Sequence, residues 1–134
     1  MKIYLAGPMR GIPEFNFPEF HRAAAWLRRF GHEVFNPAEA DNERRGVDIS
    51  KGNVTGDESI ASAQHDFDLR EALGKDLAWI CAHAEAVALL PGWKRSKGAS
   101  AEMQTARALG LKLFELLPSE APEIAGPYQA EAVQ

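Results

Sequence analysis

The 134-residue sequence predicts one α/β domain whose parallel sheet is covered by helices on both faces, and three observations support that class. Short β-rich runs alternate with stretches of helical periodicity, the pattern of strands joined by crossover helices. One run, Ala86-Val87-Ala88-Leu89-Leu90, is apolar without interruption, as expected of a strand buried on both faces. Two loops that leave strand ends, residues 7–16 and 91–98, hold glycines and cations. An open parallel sheet binds its ligands at such places, beyond the carboxyl ends of its strands.

The elements follow in order. Lys2–Ala6 is a short β-rich run stopped by Gly7-Pro8, which reads as a buried strand. Residues 18–30 have helical spacing: Phe20, Ala23, Ala24, Leu27 and Phe30 share a face, with Arg22 and Arg29 off it. Pro18 suits the first turn and Gly31 the stop. Glu33–Phe35 is a second strand, closed by Asn36-Pro37. Residues 38–62 are polar, with three glycines and no convincing period, and read as a long loop inserted in the domain. Residues 66–83 return to helical spacing through Leu69, Leu73, Leu77 and Ile80. The apolar run 86–90 ends at Pro91-Gly92, residues 99–109 form a small-residue helix stopped by Gly110, and residues 111–116 form a last strand. The expected order is β-α-β-loop-α-β-α-β within residues 1–117, followed by an acidic, proline-containing tail over 118–134.

Composition narrows the function classes. Apolar residues make up 46% and charged residues 25%, and 15 Lys and Arg stand against 19 Asp and Glu for a net charge of −4. Binders of nucleic-acid polymers carry a basic footprint that this chain lacks. The tail holds Glu120, Glu123 and Glu131 and no lysine or arginine, so the rest of the chain is close to neutral. The single cysteine, Cys81, allows no intrachain disulfide, which suits a reducing cytoplasm. No apolar run approaches the roughly 20 residues of a membrane span, and the apolar start is too short for a signal-peptide core. His21, His32, His65 and His83 are scattered without metal-ligand spacing, so no metal is expected.

Three constellations could carry chemistry. In the first, Gly7 and Gly11 let the backbone after the first strand turn tightly and approach a ligand. Between them Arg10 offers a permanent positive charge to a phosphate or carboxylate. A plain glycine turn with a solvated arginine would read the same. In the second, Trp93-Lys94-Arg95-Ser96-Lys97-Gly98 runs from the central strand into a helix N-terminus, where free N–H groups and the helix dipole favour an anion. Trp93 could stack on a base or close over the core. Glu102 follows one turn into that helix, beside the small Ala99 and Ala106. An ionised carboxylate there can attack a sugar carbon, or can merely complement the dipole. In the third, Asp76 flanks the apolar face of its helix and could supply the acid or base that glycoside chemistry needs, or pair with a neighbouring lysine at the surface.

Together these pieces resemble the nucleoside 2-deoxyribosyltransferase superfamily, and more narrowly its short phage and bacterial members. The matching motifs are Ile3-Tyr4-Leu5-Ala6-Gly7-Pro8, then Gly31-His32-Glu33-Val34-Phe35-Asn36-Pro37, then Asp76, then Ser96-x-Gly98-x-x-x-Glu102 with Ala106 and Gly110 behind it. The resemblance implies a flavodoxin-like, Rossmann-like three-layer sandwich with a parallel sheet of four or five strands. It implies Glu102 as a nucleophile that expels the base and holds the deoxyribose covalently, Tyr4 as its orienting partner, and Asp76 as an aid to leaving-group protonation or sugar binding. It implies no metal or organic cofactor, and a homodimer or higher homo-oligomer with shared sites. The superfamily's monophosphate N-glycosidases carry a glycine–arginine loop after the first strand and a serine before the glutamate. Gly7-Pro8-Met9-Arg10-Gly11 and Ser96 match those positions, although Pro8 stands where the hydrolases tend to have serine.

The expected function is cleavage of the N-glycosidic bond of a 2′-deoxynucleoside or its 5′-monophosphate, by base transfer or hydrolysis. Gly7, Arg10, Gly11, Trp93, Ser96 and Gly98 are the expected substrate-binding residues. A competing enzyme reading is a phosphoribohydrolase of the cytokinin-activating type, of whose glycine-rich loop Pro91-Gly92, Gly98 and Glu102 are a stretched echo. A third reading is a non-catalytic nucleotide-binding module that keeps the cradle without turnover.

Overall fold

A computed structural model describes residues 1–45, 56 and 69–133. Five strands form one sheet: β1 (Lys2–Ala6), β2 (Glu33–Phe35), β3 (Ala86–Leu89), β4 (Lys112–Pro118) and β5 (Tyr128–Ala132). Their order across the sheet is β2-β1-β3-β4-β5. The first four are mutually parallel, with Ile3 opposite both Val34 and Ala86, and Val87 opposite Leu113. β5 runs antiparallel along the outer edge of β4, with Leu116 opposite Ala130. The helices are α1 (Phe17–Arg29), α2 (Pro37–Arg45), α3 (Leu69–His83), α4 (Lys97–Ala108) and a single turn, α5 (Pro122–Ala125).

The alternation of side chains along a strand explains the layers. On β1, Ile3 and Leu5 face one way and pack with Phe20, Ala23, Ala24 and Leu27 of α1. Tyr4 and Ala6 face the other way and pack with Ile80 of α3 and with Ala99, Met103 and Ala106 of α4. β3 repeats the division, Ala86 and Ala88 joining the first cluster and Val87 and Leu89 the second. All four are buried, which is why the sequence there shows no polar alternation. The result is the three-layer, flavodoxin-like sandwich expected, with the strand order reversing between β1 and β3, where such sheets open a crevice.

Two expectations are corrected. The polar stretch from 38 does not begin as a loop: α2 covers Pro37–Arg45, with Asn36 capping its first turn by accepting the Ala38 N–H at 3.0 Å. The remainder of the 38–62 insertion lies outside the described residues except Gly56, as does the expected start of the next helix at 66–68. Within the expected 118–134 tail, residues 118–133 are not a plain tail either, because β5 completes the sheet and Tyr128, 3% exposed, packs on Trp26 at a ring separation of 5.6 Å. Its hydroxyl donates a hydrogen bond to Glu19 of α1. Among the described residues no helix is long and apolar enough to cross a membrane.

Candidate active site

A cavity of ≈ 540 Å³ opens at the carboxyl ends of β1 and β3, within the usual size range of small-molecule sites. Its chemical end is set by three elements. β1 presents Tyr4, α3 presents Asp76 and α4 presents Glu102. Glu102 reaches the cavity because Gly98, Glu102 and Ala106 share one face of α4, four residues apart, and that face lies against the sheet. Both carboxylates are buried, Glu102 at 6% exposure and Asp76 at 7%.

The Tyr4 hydroxyl joins them, donating a hydrogen bond to Glu102 Oε2 and interacting also with Asp76. The ring is fully buried and held by aromatic neighbours: Phe35 stacks on it at 5.4 Å, and Trp79, one turn beyond Asp76 on α3, lies at 6.4 Å. Burial pushes the Glu102 carboxyl well above the usual carboxylate range. Repulsion from Asp76 and Asp41 pushes the same way, while the Tyr4 hydrogen bond favours the ionised form. Tyr4 is itself raised by burial and by the two carboxylates, so its proton stays on and its hydroxyl remains a donor.

The second end of the cavity wall is cationic. Gly7, Arg10 and Gly11 line it from the loop after β1, and Arg95, Ser96, Lys97 and Gly98 from the loop into α4. Gly7 is required sterically: a Cβ there would lie 2.8 Å from Leu90 Cβ, where β1 and β3 converge. Ser96 is the N-cap of α4, its Oγ accepting the Ala99 N–H at 3.1 Å, which leaves the hydroxyl proton to be donated elsewhere. A Cβ on Gly98 would meet only Ser96 Oγ at 3.9 Å, so the glycine leaves open space beside the N-cap. Apart from Asp41, the remaining wall is apolar, with Ile12, Phe15, Phe17, Pro37, Leu69 and Leu73.

Eight of the nine predicted site residues therefore converge on one cavity: Tyr4, Gly7, Arg10, Gly11, Asp76, Ser96, Gly98 and Glu102. Trp93 does not line it. Its ring is buried among Tyr4, Leu89 and Met103, and its Nε1–H donates to Glu115 at 3.2 Å, so of the two readings the core-closing one holds. Lys94, which lies over the Trp93 ring, is likewise not part of the cavity wall.

Sequence reasoning missed two participants. Asp41, 3% exposed, adds a third carboxylate to the cavity from α2. The signal was Asn36-Pro37, a helix start that places position 41 one turn in. Trp79, passed over in the sequence, braces Tyr4. Among the described residues no three His, Cys, Asp or Glu side chains are grouped to hold a metal ion.

Compared with known proteins, residues 1–115 match the model of a family described as "Domain of unknown function (DUF4406)". No curated protein matches the chain. The matched span covers β1 through the first half of β4, and so includes every residue of the cavity.

Proposed function

The chain belongs to the DUF4406 family, and from the residues of its cavity we propose that it cleaves the N-glycosidic bond of a 2′-deoxynucleoside or its 5′-monophosphate, with Glu102 as nucleophile. The observation that supports this reading best is the buried Tyr4–Glu102 hydrogen bond beside Asp76, in a cavity whose other wall carries Arg10, Ser96 and Lys97. A carboxylate oriented by a fixed hydroxyl and shielded from water is suited to attack at an electron-poor carbon. A second carboxyl group beside it is suited to proton transfer.

In the proposed reaction, Glu102 attacks C1′ and the C1′–N bond breaks, its electron pair leaving with the base. Asp76, in its acid form, gives the departing base a proton. The sugar is then held as an ester on Glu102. Water, or a second base, attacks C1′ and releases the carboxylate, with Asp76 taking up the proton. Tyr4 keeps its own proton throughout and fixes the attacking oxygen. Arg10, Ser96 and Lys97 receive the 5′-phosphate where the substrate has one. No metal or organic cofactor enters any step, and the proposal includes a cytoplasmic homo-oligomer.

Incubation with deoxynucleosides and with their monophosphates, each with and without a second free base, tests the proposal by chromatography of the products. Base exchange identifies a transferase, and free base with sugar phosphate a hydrolase. Cleavage of ribonucleoside monophosphates alone would favour the phosphoribohydrolase reading, and binding without turnover the non-catalytic one. Full activity in Glu102→Ala would remove the nucleophile assignment.

A further inference from the structure

The loop between β1 and α1 brings Arg10 to the cavity, and it is not held by ordinary turn geometry alone. Inside the loop, the Ile12 N–H donates to Met9 C=O at 3.2 Å, the Phe15 N–H to Ile12 C=O at 3.0 Å, and Asn16 Nδ2 to Pro8 C=O at 3.1 Å. The chain then passes through three consecutive left-handed residues, Glu14, Phe15 and Asn16, with φ of 57°, 53° and 60°. None is glycine, and left-handed backbone is unfavourable for a residue with a side chain, so a loop of this shape needs support from its surroundings.

Support arrives from a distant part of the chain. The Gly11 N–H, next to Arg10, donates to Gly56 C=O at 2.9 Å. Gly56 is buried and has φ +72°. A Cβ there would lie 2.1 Å from Ile12 O, 2.5 Å from Ile12 N and 2.9 Å from Gly11 N. These are backbone atoms and cannot swing aside as a side chain could. Left-handed φ and the lack of space thus both demand glycine at 56. The backbone of Gly56 lies directly on the two residues that follow Arg10.

We propose that Gly56 is a positioning residue for the anion-binding wall: its backbone, seated on Gly11 and Ile12, fixes the loop so that Arg10 meets the substrate's 5′-phosphate. The inference rests on the proposed monophosphate substrate but is separable from the reaction. Any side chain at 56 lifts that backbone away and lets the strained loop relax. The phosphate contact weakens, while Tyr4, Asp76 and Glu102, held by β1, α3 and α4, stay in place.

The test compares the intact chain with Gly56→Ala. For a deoxynucleoside monophosphate the variant should raise KM by about tenfold or more, the loss of one charge-assisted contact, with kcat and nucleoside kinetics little changed. In an Arg10→Ala background, Gly56→Ala should add nothing further to KM. An unchanged KM, an equal loss on nucleoside and monophosphate, or full additivity with Arg10→Ala would each overturn the proposal. Calorimetric titration of deoxyadenosine monophosphate into Glu102→Gln, with and without Gly56→Ala, makes the same comparison without turnover. Tenfold weaker binding there, with no cleavage by the wild type, would keep the inference and remove the reaction. No monophosphate binding at all would remove the inference. Should Gly56→Ala fail to fold, the Gly11 amide of the wild type decides: slow hydrogen exchange, slowed further by the monophosphate, is expected, and exchange at the rate of an open loop would refute the seating.

Discussion

Glu102 illustrates how one buried carboxyl ties the chemistry of the cavity to the stability of the fold. Its pKa is raised mainly by burial, so ionising it costs the folded chain more than the unfolded one. Below the ordinary carboxylate value of 4.5 both states hold the proton and nothing is lost. As pH rises past that value the unfolded chain releases its proton first, and stability falls until the folded pKa is passed. Glu102→Gln keeps the oxygen that accepts from Tyr4 and has no proton to lose. The variant should be inactive yet more stable than wild type near neutral pH, with the gap closing at pH 4; urea unfolding at both pH values measures it, and a gap independent of pH would contradict the burial argument. Tyr4→Phe acts on the same group in the opposite sense. It removes the hydrogen bond that favours the carboxylate, so the Glu102 pKa rises further and the acidic limb of kcat/KM should move to higher pH. An unmoved limb, with activity reduced equally at all pH values, would show that Tyr4 does not govern Glu102 ionisation.

At the scale of elements, β5 does more than extend the sheet. It covers the outer edge of β4, and through Tyr128 it ties that edge to Trp26 and Glu19 of α1. Removing that ring should be as costly as emptying other aromatic core sites, about 3 kcal/mol for Tyr128→Ala in urea unfolding. Ile124→Ser, at a side chain 90% exposed on the neighbouring turn, should stay within about 0.5 kcal/mol of wild type. Equal costs at the two positions would mean that β5 is a passenger. The sequence hid this strand for a physical reason: of Tyr-Gln-Ala-Glu-Ala only Tyr128 is buried, so no apolar alternation marks it. α2 was hidden in the same way, since Pro-Ala-Glu-Ala-Asp-Asn-Glu-Arg-Arg offers Ala38 as its buried hydrophobic residue. β1, α1, β3, α4 and β4 were legible because each buries enough side chains to imprint a period or an apolar run, whereas β2, which buries only Val34, was marked by the Asn36-Pro37 that closes it. The same distinction applies in the cavity. Tyr4, Asp76 and Glu102 sit on elements with clear periods, whereas Asp41 sits on the helix without one. Trp93 was misplaced because a strand-end loop can turn an aromatic ring either toward a ligand or back beneath the sheet, and its sequence is the same in both cases.

Over the whole molecule, a net charge of −4 and an anion-binding wall are compatible because the charges are segregated. Acidic groups collect in the C-terminal segment around β5, through Glu120, Glu123 and Glu131, all exposed. The cations at the cavity, Arg10, Arg95 and Lys97, come from two loops brought side by side only because β1 and β3 are neighbours in the sheet. Three buried acidic groups, Asp41, Asp76 and Glu102, line the same cavity, and whatever charge they carry opposes a phosphate, so the cations must hold it against that local field as well as the global one. All three cations are exposed, and exposed charges are screened by salt. The Debye length falls from ~10 Å at ~0.1 M to ~3 Å at ~1 M ionic strength. Over that range KM for a deoxynucleoside monophosphate should rise several-fold, while KM for the corresponding nucleoside, which meets the aromatic and carboxylate walls alone, should change little. Arg10→Ala should flatten the salt dependence for the monophosphate and leave that for the nucleoside as it was. Steady-state kinetics in sodium chloride on both substrates measure this directly. Parallel responses for the two substrates would mean that the cationic wall, for all its proximity to the cavity, does not touch what the cavity binds.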